Sequence, residues 1–328
     1  MTKADQQIVK ETITTETLAG GGLLNAEQST RFLTQIFEGT PLGALTHNEV
    51  RRSKTGQLDK LSVNPRLLRR KVENIDATSA GGVPVLDEET GQVTGYRAQV
   101  VTSQVPYACV SVRLPWEITG ETLRQNLQGT SFEALAEQLM LSQLREDVED
   151  ILLNGDTAAA LDDPDHDFLY INDGWVKKAK LGGHVVDLTA LQEGVLDIRA
   201  FNAAAQALPS KYHGASVRWL MSPRTQQSWV NYLANAAIGN GGNVADSMYT
   251  APFGIQILPV PRIPDDVIML TNPKNLVKVS THDVIIKRSA EGKHAVMEDK
   301  IFYGIHLDLD AVIEETDALA IATGVGVA

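Results

Sequence analysis

The sequence is poor in the residues from which enzymes build chemistry. Cys109 is the only cysteine in 328 residues, which excludes an internal disulfide and a cysteine-based zinc site within one chain. A single thiol also fits a reducing compartment. Aromatic residues make up 5% of the chain and do not interleave with basic ones, so no platform for stacking single-stranded bases is present. No run of about 18 apolar residues occurs, which excludes a hydrophobic membrane-spanning helix, and residues 1–22 lack the apolar core of a signal peptide. Basic residues are outnumbered 29 to 41, for a net charge of −12. That balance argues against general adhesion to nucleic acid or anionic lipid. With 43% hydrophobic and 21% charged residues, the chain is ordinary globular material with ample core for one large domain or two smaller ones.

Motifs for catalysis are missing as well. There is no GxxxxGK[ST] phosphate loop, no GxSxG elbow and no HExxH pair. The seven histidines are scattered without metal-ligand spacing. Asp162, Asp163, Asp165 and Asp167 lie close together, but Pro164 interrupts them and they do not follow a calcium-loop pattern; they read as a solvated acidic loop. Glu146, Asp147, Glu149 and Asp150 spread around the polar side of a helix and read as a solvated face. No catalytic residue, cofactor or metal is expected.

The pattern along the chain predicts an α+β fold, because helical and strand signals segregate instead of alternating. Residues 1–22 are polar and end in three glycines, as an extended arm would. Asn25 through Gln28 carry a helix-start signature, and Phe32, Leu33, Ile36 and Phe37 give that helix an apolar face. Residues 51–71 hold Arg51, Arg52, Lys54, Lys60, Arg66, Arg69, Arg70 and Lys71 against the single acid Asp59. Such a run is a solvated face, a contact with an acidic neighbour or scaffold, or a DNA contact. Val83–Leu86 and Tyr96–Val101 flank the turn cluster Asp87-Glu88-Glu89-Thr90-Gly91 and predict a long hairpin with little core of its own.

The clearest helix covers 131–153, with Thr130 and Glu133 as a capping box and Asn154-Gly155 as its stop. Phe132, Leu135, Leu139, Leu144, Val148, Ile151 and Leu152 form its apolar stripe, and at about 1.5 Å per residue it is a rod of roughly 35 Å. Helices at 198–208, capped by Asp197, and after Ser222-Pro223 follow. A loop is expected at 238–243, which includes Gly239, Asn240 and Gly241, and the remainder reads as strands, with a hairpin turn at Glu291-Gly292.

This order of parts resembles the tailed-bacteriophage major capsid fold, which encapsulin nanocompartments share. The resemblance runs through nearly the whole chain. It is strongest in Leu114–Asp156, with the long helix ending Ile-Leu-Leu-Asn-Gly-Asp, and in Leu220–Val325, with Ser-Pro-Arg-Thr and Ala-Pro-Phe-Gly-Ile-Gln-Ile-Leu-Pro-Val. It implies an N-arm at 1–71 and an E-loop hairpin at 72–106 laid over an adjacent subunit. A peripheral domain at 107–174 and 268–316 would be built on the long spine helix, beside an axial domain at 175–267 and 317–328.

The implied function is that of a major capsid protein assembling into hexamers and pentamers around double-stranded DNA, in a virion head assembled in the host cytoplasm. Inter-subunit contacts would fall to Arg51, Arg52, Arg66, Arg69, Arg70, Lys71, Asp87, Glu88, Glu89, Gly239, Asn240 and Gly241. Some relatives crosslink through an E-loop lysine. Here no lysine occurs between Lys71 and Lys177, so a non-covalent shell is expected. No long N-terminal scaffolding segment is seen, so a separate scaffolding protein is expected, with portal and decoration proteins as further partners and no membrane. The alternatives are an encapsulin-like shell around a cargo enzyme, and a soluble enzyme of unfamiliar type.

Overall fold

In a computed structural model, residues 22–23, 26–63, 85–86, 93–94, 100–121, 131–189, 196–240 and 251–326 are described. In chain order the elements begin with β1 (Gly22–Leu23), α1 (Ala26–Phe37), β2 (His47–Arg51) and β3 (Thr55–Val63). The short strands β4 (Val85–Leu86) and β5 (Val93–Thr94) come next, then β6 (Val100–Ala108) and β7 (Val110–Thr119). The central part holds α2 (Ser131–Asn154), α3 (His166–Leu169), α4 (Trp175–Gly182), β8 (His184–Asp187), α5 (Ile198–Ala207), β9 (Arg218–Met221) and α6 (Pro223–Asn240). The chain closes with β10 (Ile257–Pro259), β11 (Val267–Thr271), β12 (Leu276–Thr281), β13 (Ile285–Ser289), α7 (Lys293–Glu298), β14 (Lys300–Ile313) and β15 (Leu319–Thr323). The expected α+β class is what the structure has.

Two compact units divide the chain: residues 56–106 form one, and 1–55 with 107–328 the other. Within the smaller unit β4 pairs antiparallel with β5, Val85 opposite Thr94. The long pairing is between β3 and β6, with Gln104 donating to Asp59 at 3.0 Å. The predicted hairpin is met at its turn, where Val85–Leu86 partners Val93–Thr94. Val100 onward partners a strand inside the basic run, a pairing the turn cluster does not announce. Asp87, Glu88 and Glu89 lie outside the described residues, as do most of residues 1–25 and Thr130 of the expected capping box.

In the larger unit one sheet is organised around β14. Along one side it pairs antiparallel with β7, Lys300 opposite Thr119 through Leu309 opposite Val110. On the other side its first half pairs with β13 and its second half with β12. β12 in turn pairs parallel with β2. The second sheet has the order β10-β9-β11-β15-β8. Strand β11 is buried at all five positions, because the sheet is covered on both faces. Met269 packs with Leu220 and Ile321 in one cluster, while Ile268 and Leu270 join Trp219, Phe201 and Trp229 in the other. The alternation follows directly from the two-residue period of a strand. Since β11 pairs with β9 and β15, residues 267–271 belong to this sheet.

Helix α2 runs as predicted, but its stripe is only half covered. Leu144, Val148, Ile151, Leu152 and Leu153 are buried against α1 and α4, whereas Leu135 and Leu139 are exposed. At its end Gly155 and Gly174 let two chain segments touch: Gly174 N–H donates to Gly155 O at 2.8 Å, and a Cβ on Gly174 would sit 2.4 Å from Leu153 O. Asp197 caps α5 through the amides of Arg199 and Ala200, and Ser222 Oγ accepts from Thr225 N at 3.1 Å to start α6. That helix continues through Asn240, so Gly239 and Asn240 end a helix where a loop was expected. Between β13 and β14 the expected tight turn is replaced by α7.

Candidate assembly site

The most constrained polar structure lies where the chain leaves and re-enters the larger unit around residues 56–106. Two carboxylates on β14, Asp308 and Asp310, are each 4% exposed. Asp308 accepts from Ser111 Oγ at 2.6 Å and Thr281 Oγ1 at 2.8 Å, and pairs with Lys54 Nζ at 3.1 Å. Burial works against its charge, but these hydroxyls and the Lys54 ammonium hold its carboxyl below the usual range. Asp310 accepts from Ala108 N at 2.8 Å, Asn172 Nδ2 at 3.2 Å and Lys178 Nζ at 3.1 Å. Lys178 also donates to the Ala311 carbonyl. The strand beneath is pinned by Trp175 Nε1 on Val312 O at 3.1 Å. Lys54 O accepts from Cys109 N at 2.7 Å and Ser53 O from Tyr107 Oη at 3.4 Å. Both chain ends of the excursion are thus tied to one strand by buried carboxylates with filled acceptor sites, which makes a rigid root. Cys109 sits inside this root; burial and then the two aspartates push its thiol up to about 12.

A second buried charge anchors α1. Lys278, 2% exposed on β12, donates to Phe37 O at 3.1 Å and Gly43 O at 2.8 Å, and its ammonium lies 4.9 Å from the Phe37 ring centre. It therefore closes the C-terminal turn of α1 from across the core. Burial drives its pKa down to about 8, against the opposing charges of Glu149 and Glu38. At the other end of α2, Glu133 accepts from Arg288 Nε at 2.9 Å and from Tyr303 Oη; Tyr303 stacks on Trp116 at 5.1 Å.

Of the sequence-predicted contact residues, Arg51 ends β2 and pairs with Glu49 at 2.8 Å, and Arg52 is exposed. Arg66, Arg69, Arg70, Lys71 and Gly241 lie outside the described residues, with Asp87, Glu88 and Glu89. Sequence reasoning missed Asp308, Asp310 and Lys278. The two aspartates alternate with apolar neighbours, a pattern that carries no sign of burial, and Lys54, Asn172 and Lys178 cover them from distant positions. It also read Glu149 as solvated, although Glu149 is 7% exposed. The acidic loop is ordered by its own carboxylates: Asp173 accepts from Thr157 N and Lys177 Nζ, and Lys177 also pairs with Asp156 at 2.7 Å. Among the described residues no group of three metal-ligating side chains occurs, and no helix is long and apolar enough to cross a membrane.

No family model matches the chain. A full-length relative from Bacillus subtilis (strain 168), named "Putative prophage capsid protein YqbE", is 23% identical, with 96% of this chain and 97% of the relative aligned. Among solved structures, a chain of the satellite phage P4 procapsid including size determination (Sid) protein superposes with a TM-score of 0.59 at 14% identity, covering 90% of this chain and 99% of that one. The holo-SrpI encapsulin complex of Synechococcus elongatus PCC 7942 gives a TM-score of 0.51 at 11% identity, covering 87% of each. All three names describe shells and none describes an enzyme. On these superpositions this protein has the major capsid fold of tailed bacteriophages, the fold also used by encapsulins.

Proposed function

We propose that the chain is the major capsid protein of a tailed bacteriophage. Its copies join as hexamers and pentamers into an icosahedral head that encloses double-stranded DNA without reading its sequence. The observation that carries this reading is the end-to-end alignment with a named prophage capsid protein, 96% of one chain on 97% of the other. The mechanism is mechanical. Residues 56–106 reach from a rigid root onto a neighbouring subunit, and many such contacts add up through multivalency. A net charge of −12 suits a wall that must not grip the genome during packaging. Assembly takes place in the host cytoplasm with a separate scaffolding protein, and portal and decoration proteins complete the virion.

The shell is held without isopeptide bonds, because the hairpin expected at residues 72–106 carries no lysine; the lysines of the unit 56–106, Lys60 and Lys71, precede that hairpin. Negative-stain microscopy of the purified protein tests the main reading: shells, tubes or six-membered rings support it, and a uniform small oligomer refutes it. Boiled, denatured particles should run as a single band; a covalent ladder overturns the crosslink reading alone. The match to an encapsulin chain supports a second reading, a compartment around a cargo enzyme. Genome-length DNA extracted from particles favours the head, and a co-purifying protein cargo favours the compartment.

A further inference from the structure

An open cleft of about 500 Å³, continuous with solvent, separates the turn at Gly39–Pro41, the middle of α2 and the turn at Pro261-Arg262. Its polar lining comes from Thr40, Ser142, Arg145, Glu146, Glu149 and Arg262. Most of these groups are already matched. Arg262 pairs with Glu146 at 2.7 Å and Asp150 at 3.6 Å, and burial pushes the Glu149 carboxyl up, with Thr40 beside it working against that rise. Two atoms are unmatched. Arg145 Nε and Glu149 Oε2 are shut off from solvent and have no hydrogen-bond partner, and no carboxylate among the described residues pairs with Arg145. Glu149 is more than nine-tenths buried. Native proteins seldom leave such atoms unmatched, because each forfeits its water without gaining a partner. The cleft therefore presents one unpaired guanidinium and, one helical turn away, one acceptor lacking a donor.

We propose that this cleft is an intersubunit socket that receives a carboxylate side chain, with its adjoining backbone, from a second copy of the chain. The carboxylate takes the Arg145 guanidinium and a peptide N–H takes Glu149 Oε2. The inference rests on the shell reading above. Charge complementarity selects the occupant. A chain carrying 41 acidic residues against 29 basic ones has carboxylates in excess, and Arg145 differs from exposed arginines in having its Nε shut off from water without a partner. Arg262 already answers Glu146 and Asp150, so the cleft has one cation, Arg145, left to match, which suits a single carboxylate and not the row of phosphates of a DNA backbone.

The test places the photoreactive residue p-benzoylphenylalanine at Ser142, an exposed cleft position, in particles assembled from the full chain. Irradiation should give a band at twice the chain mass, with the crosslinked peptide mapping to another copy, and Arg145→Ala should lower its yield at least fivefold. Crosslinks confined to the same chain, crosslinks to nucleic acid or a foreign protein, or a yield untouched by Arg145→Ala overturn the socket and leave the shell reading standing. If Arg145→Ala forms no particles, recovery of particles and crosslink in Arg145→Lys supports the socket, and failure of both variants counts against it. If the unsubstituted chain forms no particles at all, the shell reading falls and the socket with it.

Discussion

Lys278 makes a quantitative test of the core, because its charge is buried without a close carboxylate. Its pKa falls from an ordinary 10.5 to about 8 in the folded chain. Between those values the unfolded chain holds a proton that the folded one has lost, so stability rises with pH across that window and the gain is absent below it. The rise amounts to about 3 kcal/mol, at about 1.4 kcal/mol per pH unit. Cys109 and Tyr303 act in the opposite direction. Burial first, then neighbouring carboxylates, raise both of their pKa values, so the folded chain keeps protons there that the unfolded chain loses above about pH 9. A single pH profile would mix these contributions, and a comparison with Lys278→Met removes the mixture. That variant loses the charge and leaves Phe37 O without its donor, while Gly43 O keeps the Thr46 hydroxyl at 3.1 Å; the stranded carbonyl costs about 1–3 kcal/mol. Urea unfolding of the unassembled wild-type and variant chains, followed by tryptophan fluorescence at steps from pH 7 to 10.5, is the assay. The wild type should gain on Lys278→Met by about 3 kcal/mol between pH 8 and 10.5. A difference that stays constant across this range refutes the buried-ammonium account.

Three further outcomes are expected. Asp310→Ala strands the Ala108 amide and the buried Asn172 side-chain amide and leaves Lys178 only the Ala311 carbonyl, and should cost about 2–3 kcal/mol; hydrogen exchange should rise at Ala108 while the second sheet stays protected. Phe201 packs edge-on against Trp219 at 5.0 Å and against Trp229 at 4.7 Å, so Phe201→Ala should lower stability by about 3–5 kcal/mol in a denaturant titration. Cys109 should resist iodoacetamide at pH 8 in the folded chain and react once the chain is unfolded in urea, because its thiol titrates only at about 12; rapid labelling of the folded protein would contradict the described root.

What could be read from the sequence was local. The spine helix, the Asp197 and Ser222 caps and the α+β class follow from short-range periodicity and capping, and the structure has them. Which strands pair could not be read in the same way. The turn signal at residues 87–91 is real, but nothing near it tells that Val100–Ala108 seeks Thr55–Val63 across almost forty residues of intervening chain. The buried charges were hidden for the same reason. Asp308 beside Leu307 and Leu309 has the pattern of an open face, and its cover arrives from Lys54, Ser111 and Thr281. The stripe on α2 was legible as apolar but not as half covered, since Leu135 and Leu139 look no different in sequence from Leu144 and Val148.

The central position of β14 has a consequence for biosynthesis. Its fourteen residues, Lys300–Ile313, join strands made early, β7 and through β12 also β2, to strands made last. Nearly the whole polypeptide must leave the ribosome before its first sheet can close, so loop-closure entropy is met late and folding should be slow. Until then Asp308 and Asp310 are not present to hold the ends of the excursion at Lys54 and Ala108. A nascent chain broken off before residue 300 therefore carries residues 56–106 on an unsecured base.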